Sequence, residues 1–369
     1  MRIETIHTGR YDRTLLFAIL MLLTFSVVMV YSSSSVVALT TYNDSAYFMK
    51  RQLLWTAVGL LFMAVAMRFN HRLLSDQRAV ITLVAASLLL LVATLVPGVG
   101  RTVNGAQRWL RLGMLSFQPS ELAKLTLVVY MSYYLAKKGD RIRDFRNGLV
   151  PAYVVTSIFL AAVVFQPDFG SAMTMAGVAG VMLFAGGANV LHLGGTLLAA
   201  LPFVFMAIVH KAYRWRRIVA FLNPWSDQDG AGYQIIQSFL AFGSGGVFGR
   251  GLGEGRQKLL FLPERHSDFI YAVIGEELGL LGALAVVALF LVILWRGVKI
   301  SLASGDHFSR TLALGITLLI CMQAVINMGV VTGLLPTKGI ALPLVSYGGS
   351  SLVITLAALG VLLNISKET

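Results

Sequence analysis

The sequence is short of charge. Only 13% of its 369 residues are Asp, Glu, Lys or Arg, about half of the roughly 25% usual in soluble globular chains. The shortage runs the whole length, which excludes a soluble enzyme tethered by one anchor. The 57% hydrophobic content excludes a disordered or fibrous chain. There is one cysteine, Cys321, so no intrachain disulfide framework or Cys-based zinc site is built in. The six histidines (His7, His71, His192, His210, His266 and His307) never fall three or four residues apart, so no helical His pair signals a metal site. The string G-x-x-x-x-G-K-S/T does not occur, which removes a P-loop ATPase. Internal repeats and low-complexity tracts are also missing. Apolar runs and positive charge remain, with mean hydropathy +0.76 and net charge +13. On a membrane protein that excess points to anionic headgroups or an anionic substrate before nucleic acid.

A spanning helix needs about 20 apolar residues. Ten stretches qualify, at 14–33, 52–68, 79–97, 119–136, 148–166, 169–186, 190–209, 268–295, 310–333 and 342–364. The run from Phe169 to Val209 carries no Lys, Arg, Asp or Glu over 41 residues and is long enough for two crossings. Gly186-Gly187-Ala188-Asn189 supplies the turn between them. The expected fold is an all-α polytopic membrane protein of about ten transmembrane helices, a single membrane domain over 1–369. One large extracytoplasmic loop, about 210–267, lies between helices 7 and 8. With the N-terminus inside, inner segments carry 14 Lys and Arg against 6 on the short outer segments. The long loop adds 8 more, but long segments cross largely regardless of charge. Both termini are therefore expected in the cytoplasm.

Polar residues at membrane depth are expensive and mark candidate chemistry. Asn104-Gly105-Ala106-Gln107-Arg108-Trp109 precedes Phe117-Gln118-Pro119-Ser120-Glu121-Leu122-Ala123-Lys124. Pro119 suits a first helical position, with Gln118 as the cap and Glu121 in the first turn. Lys124 shares a face with Glu121, either as its ion-pair partner or as an ammonium that meets an anionic headgroup. Segment 211–217, Lys-Ala-Tyr-Arg-Trp-Arg-Arg, reads first as an interfacial belt. Nine glycines between Gly230 and Gly255 suit a phosphate-cradling backbone, a lid or simple turns. Asp268 stands where the loop re-enters the membrane, as a helix cap or a functional acid. Glu276 and Glu277 lie deeper, paired with a buried cation such as Lys124 or with one of them protonated. The stretch Leu335 to Ser351, with Lys338, Tyr347, two prolines and three glycines, reads as irregular backbone lining a cavity. These features suit a substrate both greasy and anionic, and leave an enzyme and a lipid transporter both open.

Three of these segments closely resemble the SEDS family of bacterial cell-wall proteins (shape, elongation, division and sporulation). They are Asn104–Lys124, Leu262-Pro-Glu-Arg-His-Ser-Asp-Phe-Ile and Pro343-Leu-Val-Ser-Tyr-Gly-Gly-Ser-Ser. Pro336-Thr-Lys-Gly-Ile-Ala-Leu-Pro and Asn223-Pro-Trp-Ser-Asp-Gln-Asp-Gly look like the division (FtsW) branch rather than the elongation (RodA) branch. Ser267 stands where the family often has Thr. The resemblance implies a peptidoglycan glycosyltransferase that polymerises lipid II and releases undecaprenyl pyrophosphate. Asp268 would be the key acid and general base, with Arg51, Arg108, Gln118, Glu121, Lys124, Asp168, Lys338 and Tyr347 as substrate-binding candidates. It further implies a class B penicillin-binding protein (an FtsI-like transpeptidase) and other divisome proteins as partners, alongside membrane lipids. No tightly bound cofactor and no dedicated metal site are expected, while a divalent cation, Mg or Mn, would accompany the substrate pyrophosphate. The alternatives are a lipid II flippase, a RodA-like elongation polymerase, or a scaffold that positions the transpeptidase.

Overall fold

The computed structural model describes residues 9–103, 106–112, 115–230, 232–255 and 265–368. Asn104, Gly105 and the first three residues of Leu262-Pro263-Glu264-Arg265 lie outside these. Among the described residues thirteen α-helices run in chain order: α1 (Arg13–Tyr42), α2 (Tyr47–Arg68), α3 (Gln77–Leu95), α4 (Pro119–Lys138), α5 (Val150–Phe165), α6 (Phe169–Ala185), α7 (Val190–Val209), α8 (Ala212–Leu222), α9 (Tyr233–Gly245), α10 (Ile270–Glu277), α11 (Gly279–Ala303), α12 (His307–Val331) and α13 (Gly349–Ile365). Among the described residues, eight helical stretches are long and apolar enough to cross a membrane. α4 and α6 occupy the other two expected places, α6 with only 17 residues and α4 with Glu121, Lys124, Lys137 and Lys138 along its length. The protein is a multi-pass membrane protein.

Local signals set the helix ends. The Asp12 carboxylate accepts from Leu15 N at 2.9 Å and caps α1, satisfying an amide that would otherwise be orphaned. Asn43 closes α1 in the left-handed region. Pro119 opens α4 as expected, but Gln118 makes no side-chain cap bond and instead donates to Ser120 Oγ. The helices pack through small residues: a Cβ at Gly59 of α2 would lie 2.5 Å from Leu356 of α13, so glycine permits the close approach that drives association in lipid. α12 is the most enclosed span and packs on α4, α6 and α11. No residue of α7 is buried, so this helix stands at the edge of the bundle with its apolar side chains toward lipid.

Three features depart from expectation. A three-stranded antiparallel sheet, β1 (Gly100–Val103), β2 (Ala106–Leu112) and β3 (Leu115–Phe117), caps the α3–α4 connection. The eighth expected span, 268–295, is broken into α10 and α11. Gly279 has φ +67°, and a Cβ there would lie 2.3 Å from Gly249 N and 2.5 Å from Val247 O. The chain bends where the glycine-rich loop docks, so two helices stand where one span was expected. The segment 210–267 also holds α8 and α9 rather than plain loop.

Candidate functional site

The polar segments converge on one cavity of about 610 Å³. Its walls include Arg108, Gln118, Glu121, Lys124, Arg217, Asp268, Lys338 and Tyr347. A second cavity of about 600 Å³ adjoins it through Arg108, Arg217, Thr337, Lys338 and Gly339. Its remaining lining is largely apolar and reaches Val204 and Ile208 of α7.

Asp268 sits in the turn before α10. Phe269, rather than Asp268, holds the cap position of that helix. A Cβ at Gly339 would lie 3.0 Å from Asp268 Oδ2, so the carboxylate faces the 332–348 segment across the cavity. Four bonds help lock the two segments together. Asn327 Nδ2 donates to Asp268 O at 2.7 Å and to Ile340 O at 2.6 Å, and Tyr347 N donates to His266 O at 2.9 Å. Ser346 Oγ also donates to Ser267 O.

Arg108 rises from β2. Its Nε donates to Gln166 O at 3.1 Å and another nitrogen to Pro167 O, so the α5–α6 turn fixes the guanidinium. Asp168 stands 3.9 Å from it, but is 2% exposed and caps α6 through Ser171 N at 3.1 Å and Ser171 Oγ at 2.8 Å. That carboxylate orients Arg108 and borders only the apolar cavity. Lys124, 2% exposed, pairs with Glu121 at 2.8 Å, and Ser351 Oγ donates to the same carboxyl group. Lys338 lies over the Phe169 ring at 5.0 Å and reaches toward Met173. Burial pushes its ammonium down to about 8. Burial also holds the Arg217 guanidinium below its usual value, against the opposing attraction of Tyr213 and Asp268.

Not every expected residue reaches the cavity. Arg51 is exposed on α2, donates to Tyr47 Oη at 2.9 Å and lies outside the lining. Its long side chain is drawn to that tyrosine, which leaves it at the rim beside Tyr347. Lys124 does not reach Glu276 or Glu277, because Glu121 one turn away holds it. Both glutamates are buried outside either cavity, and Glu277 accepts from Ser32 at 2.5 Å and Gly253 N at 3.2 Å. The glycine-rich loop is thus docked on α10, with Arg250 N and Gly251 N bonded to the carbonyls of Glu276 and Glu277. It borders neither cavity through Gly245 to Gly255. Arg217, read as part of an interfacial belt, lines both cavities. Gln323, which lines the polar cavity, and Asn327 are functional residues the sequence reading does not include; their signal is two amides four residues apart at membrane depth in α12.

The family description "Cell cycle protein", covering FtsW, RodA and SpoVE, matches residues 13–369. The chain belongs to the FtsW/RodA/SpoVE family. It is 51% identical over 358 residues to the probable peptidoglycan glycosyltransferase FtsW of Trichlorobacter lovleyi, covering 97% of this chain and 93% of that one. It is 43% identical to the stage V sporulation protein E of Bacillus subtilis, covering 96% and 97%. A solved chain described under "Structural coordination of polymerization and crosslinking by a peptidoglycan synthase complex" superposes with TM-score 0.79 at 32% identity, covering 96% and 97%. The rod shape determining protein RodA of Thermus thermophilus gives 0.70 at 30%, covering 96% of each chain. These are the relationships expected of a SEDS protein, and FtsW relatives reach 50–51% identity.

Proposed function

We propose that this protein is an FtsW-type peptidoglycan glycosyltransferase that polymerises lipid II during cell division at the outer face of the bacterial cytoplasmic membrane. The observation that carries the reading is the Asp268 carboxylate in a polar cavity with Arg108, Arg217, Lys338 and the Glu121–Lys124 pair. An acceptor sugar hydroxyl attacks the anomeric carbon of a lipid-linked sugar. Asp268 takes the hydroxyl proton, the new glycosidic C–O bond forms, and the bond to undecaprenyl pyrophosphate breaks with inversion. The leaving pyrophosphate develops negative charge, which the arginines and Lys338 are placed to stabilise. The adjoining apolar cavity, bordered by the lipid-exposed α7, suits the start of a polyprenyl chain.

The cavity's carboxylates alone do not form a cage for a divalent cation. Glu121 is held by Lys124, and Mg demands about six oxygen ligands. Asp268 together with the substrate pyrophosphate would hold such an ion, Mg or Mn, and the ion would neutralise charge on the leaving group. The charge asymmetry favours cytoplasmic termini. The match to a chain of a peptidoglycan synthase complex supports a class B penicillin-binding protein as partner. Proton-relayed translocation of lipid II has less behind it, because Glu276 and Glu277 border neither cavity.

The test is glycan polymer formed from lipid II by purified protein with its transpeptidase partner. Asp268→Asn, with its fold intact, is expected to lose about 10²–10⁴-fold in rate. Full activity would remove Asp268 from the mechanism.

A further inference from the structure

A third cavity, about 450 Å³, lies at the opposite end of the bundle from the polar cavity. Helix α1 measures the separation. It begins at this cavity with Arg13 and runs 30 residues, about 45 Å at ~1.5 Å per residue. It ends at Tyr42, whose ring lies 5.8 Å from Phe48, itself 5.3 Å from Tyr347 of the polar cavity. The walls come from the start of α1, the far end of α11 and the residue following α13. Arg10, Arg13, Arg296 and Lys299 bring four cations, and Asp12 is the one acidic residue in the lining.

Asp12 is already committed. It caps α1 through Leu15 N and accepts from Arg296 Nε at 2.7 Å. That leaves Arg10, Arg13 and Lys299 with no ion pair among the described residues. Three uncompensated cations around one concavity attract an anion with several acceptor oxygens. The surroundings say what carries that anion. Phe17, one turn along α1 from Arg13, is 61% exposed. On α11, Trp295 and Leu302, which share the face of Lys299, are 60% and 72% exposed. Each cationic edge therefore passes directly into an apolar stripe turned toward lipid, and Arg296 stacks at 5.2 Å on the interfacial ring of Trp295. A charged concavity above two lipid-facing stripes has the shape of a phospholipid: phosphate above, acyl chains below.

We infer that this cavity is a binding site for the phosphate of an anionic phospholipid, in the leaflet opposite the polar cavity. The site is independent of the catalytic reading and holds α1, α11 and the end of α13 in register at that surface. Free inorganic phosphate shares the headgroup chemistry and lacks the chains.

The experiment titrates the full-length protein in neutral detergent with dioleoylphosphatidylglycerol or dioleoylphosphatidylcholine and counts bound lipid by native mass spectrometry. The native sequence is expected to favour phosphatidylglycerol. The doubly substituted Arg13→Gln/Lys299→Gln protein is expected to lose about five-fold in that preference per cation removed. Both side chains are exposed and unpaired, so the fold survives, and an unchanged melting transition confirms it. Arg141→Gln/Arg146→Gln, also exposed at that end but outside the cavity, retains the preference. Equal loss in both double variants would reduce the effect to diffuse surface charge, and no preference in the native sequence would overturn the site. Displacement of the bound lipid by millimolar inorganic phosphate would overturn the lipid assignment.

Discussion

Asn327 offers the sharpest test of how the cavity is held. It sits on α12, is 1% exposed, and one amide nitrogen donates to both Asp268 O at 2.7 Å and Ile340 O at 2.6 Å. Replacing it with leucine keeps the approximate volume and removes both donations. Each orphaned carbonyl costs about 1–3 kcal/mol when water cannot replace the donor. The polar cavity lets water reach part of the Asp268 turn, so the expected loss is roughly 3 kcal/mol rather than the full sum. The chemical effect is larger than the stability effect suggests. With the clamp gone, the 265–269 turn and the 336–346 segment separate, and a shift of about 1 Å in a catalytic group costs on the order of 10²-fold. Asn327→Asp is more severe, since a second oxygen then faces two carbonyl oxygens. The assay pairs unfolding of the micellar protein by SDS with steady-state polymerisation of lipid II. The clamp predicts a larger fall in kcat than rise in KM, because Arg108 on β2 and Lys124 on α4 stay in place while Lys338 moves with its segment. A leucine variant with native kcat and native stability would refute the argument.

Three further outcomes follow from the same geometry. Lys338 titrates near 8 rather than its usual 10.5 because of burial. Binding of lipid II should therefore weaken as pH rises through about 8, and Lys338→Arg should flatten that profile, as KM against pH would show. Between 8 and 10.5 the unfolded chain holds this proton and the folded chain does not, so this group's contribution to stability rises with pH across that window. Glu121→Gln strands the Lys124 ammonium and should cost about 3–5 kcal/mol. Glu121→Gln/Lys124→Met should recover most of that in SDS unfolding while polymerisation stays low; failure to recover would show that the pair's charge is not the cause. Gly279→Ala should lower stability by more than the ~1 kcal/mol of a helical Gly/Ala difference, because its φ of +67° is joined by a backbone contact at 2.3 Å. A neutral result in thermal melting would mean that the α10–α11 bend can relax.

The membrane character and the helical places were legible in the order of residues. Apolar stretches of spanning length, Pro119 at the head of α4 and the Glu121–Lys124 spacing are local properties, and local properties survive being read one segment at a time. The family was legible for the same reason, since short motifs carry it.

Packing decided the rest. Asp268 could cap a helix or face a cavity, and only the approach of Gly339 to its carboxylate shows which way it turns. Lys124 could serve Glu276 or Glu121, and proximity along α4 settled it. The nine-glycine loop suited a phosphate cradle, yet its glycines are needed where backbone meets backbone on α10. Arg217 looked like membrane-surface decoration until α8 folded over the cavity. Apart from the Lys124 pairing, each choice depends on residues 13 to 120 positions apart in sequence. In lipid, where apolar surface does not by itself select a neighbour, such contacts arise only once the helices have found their partners.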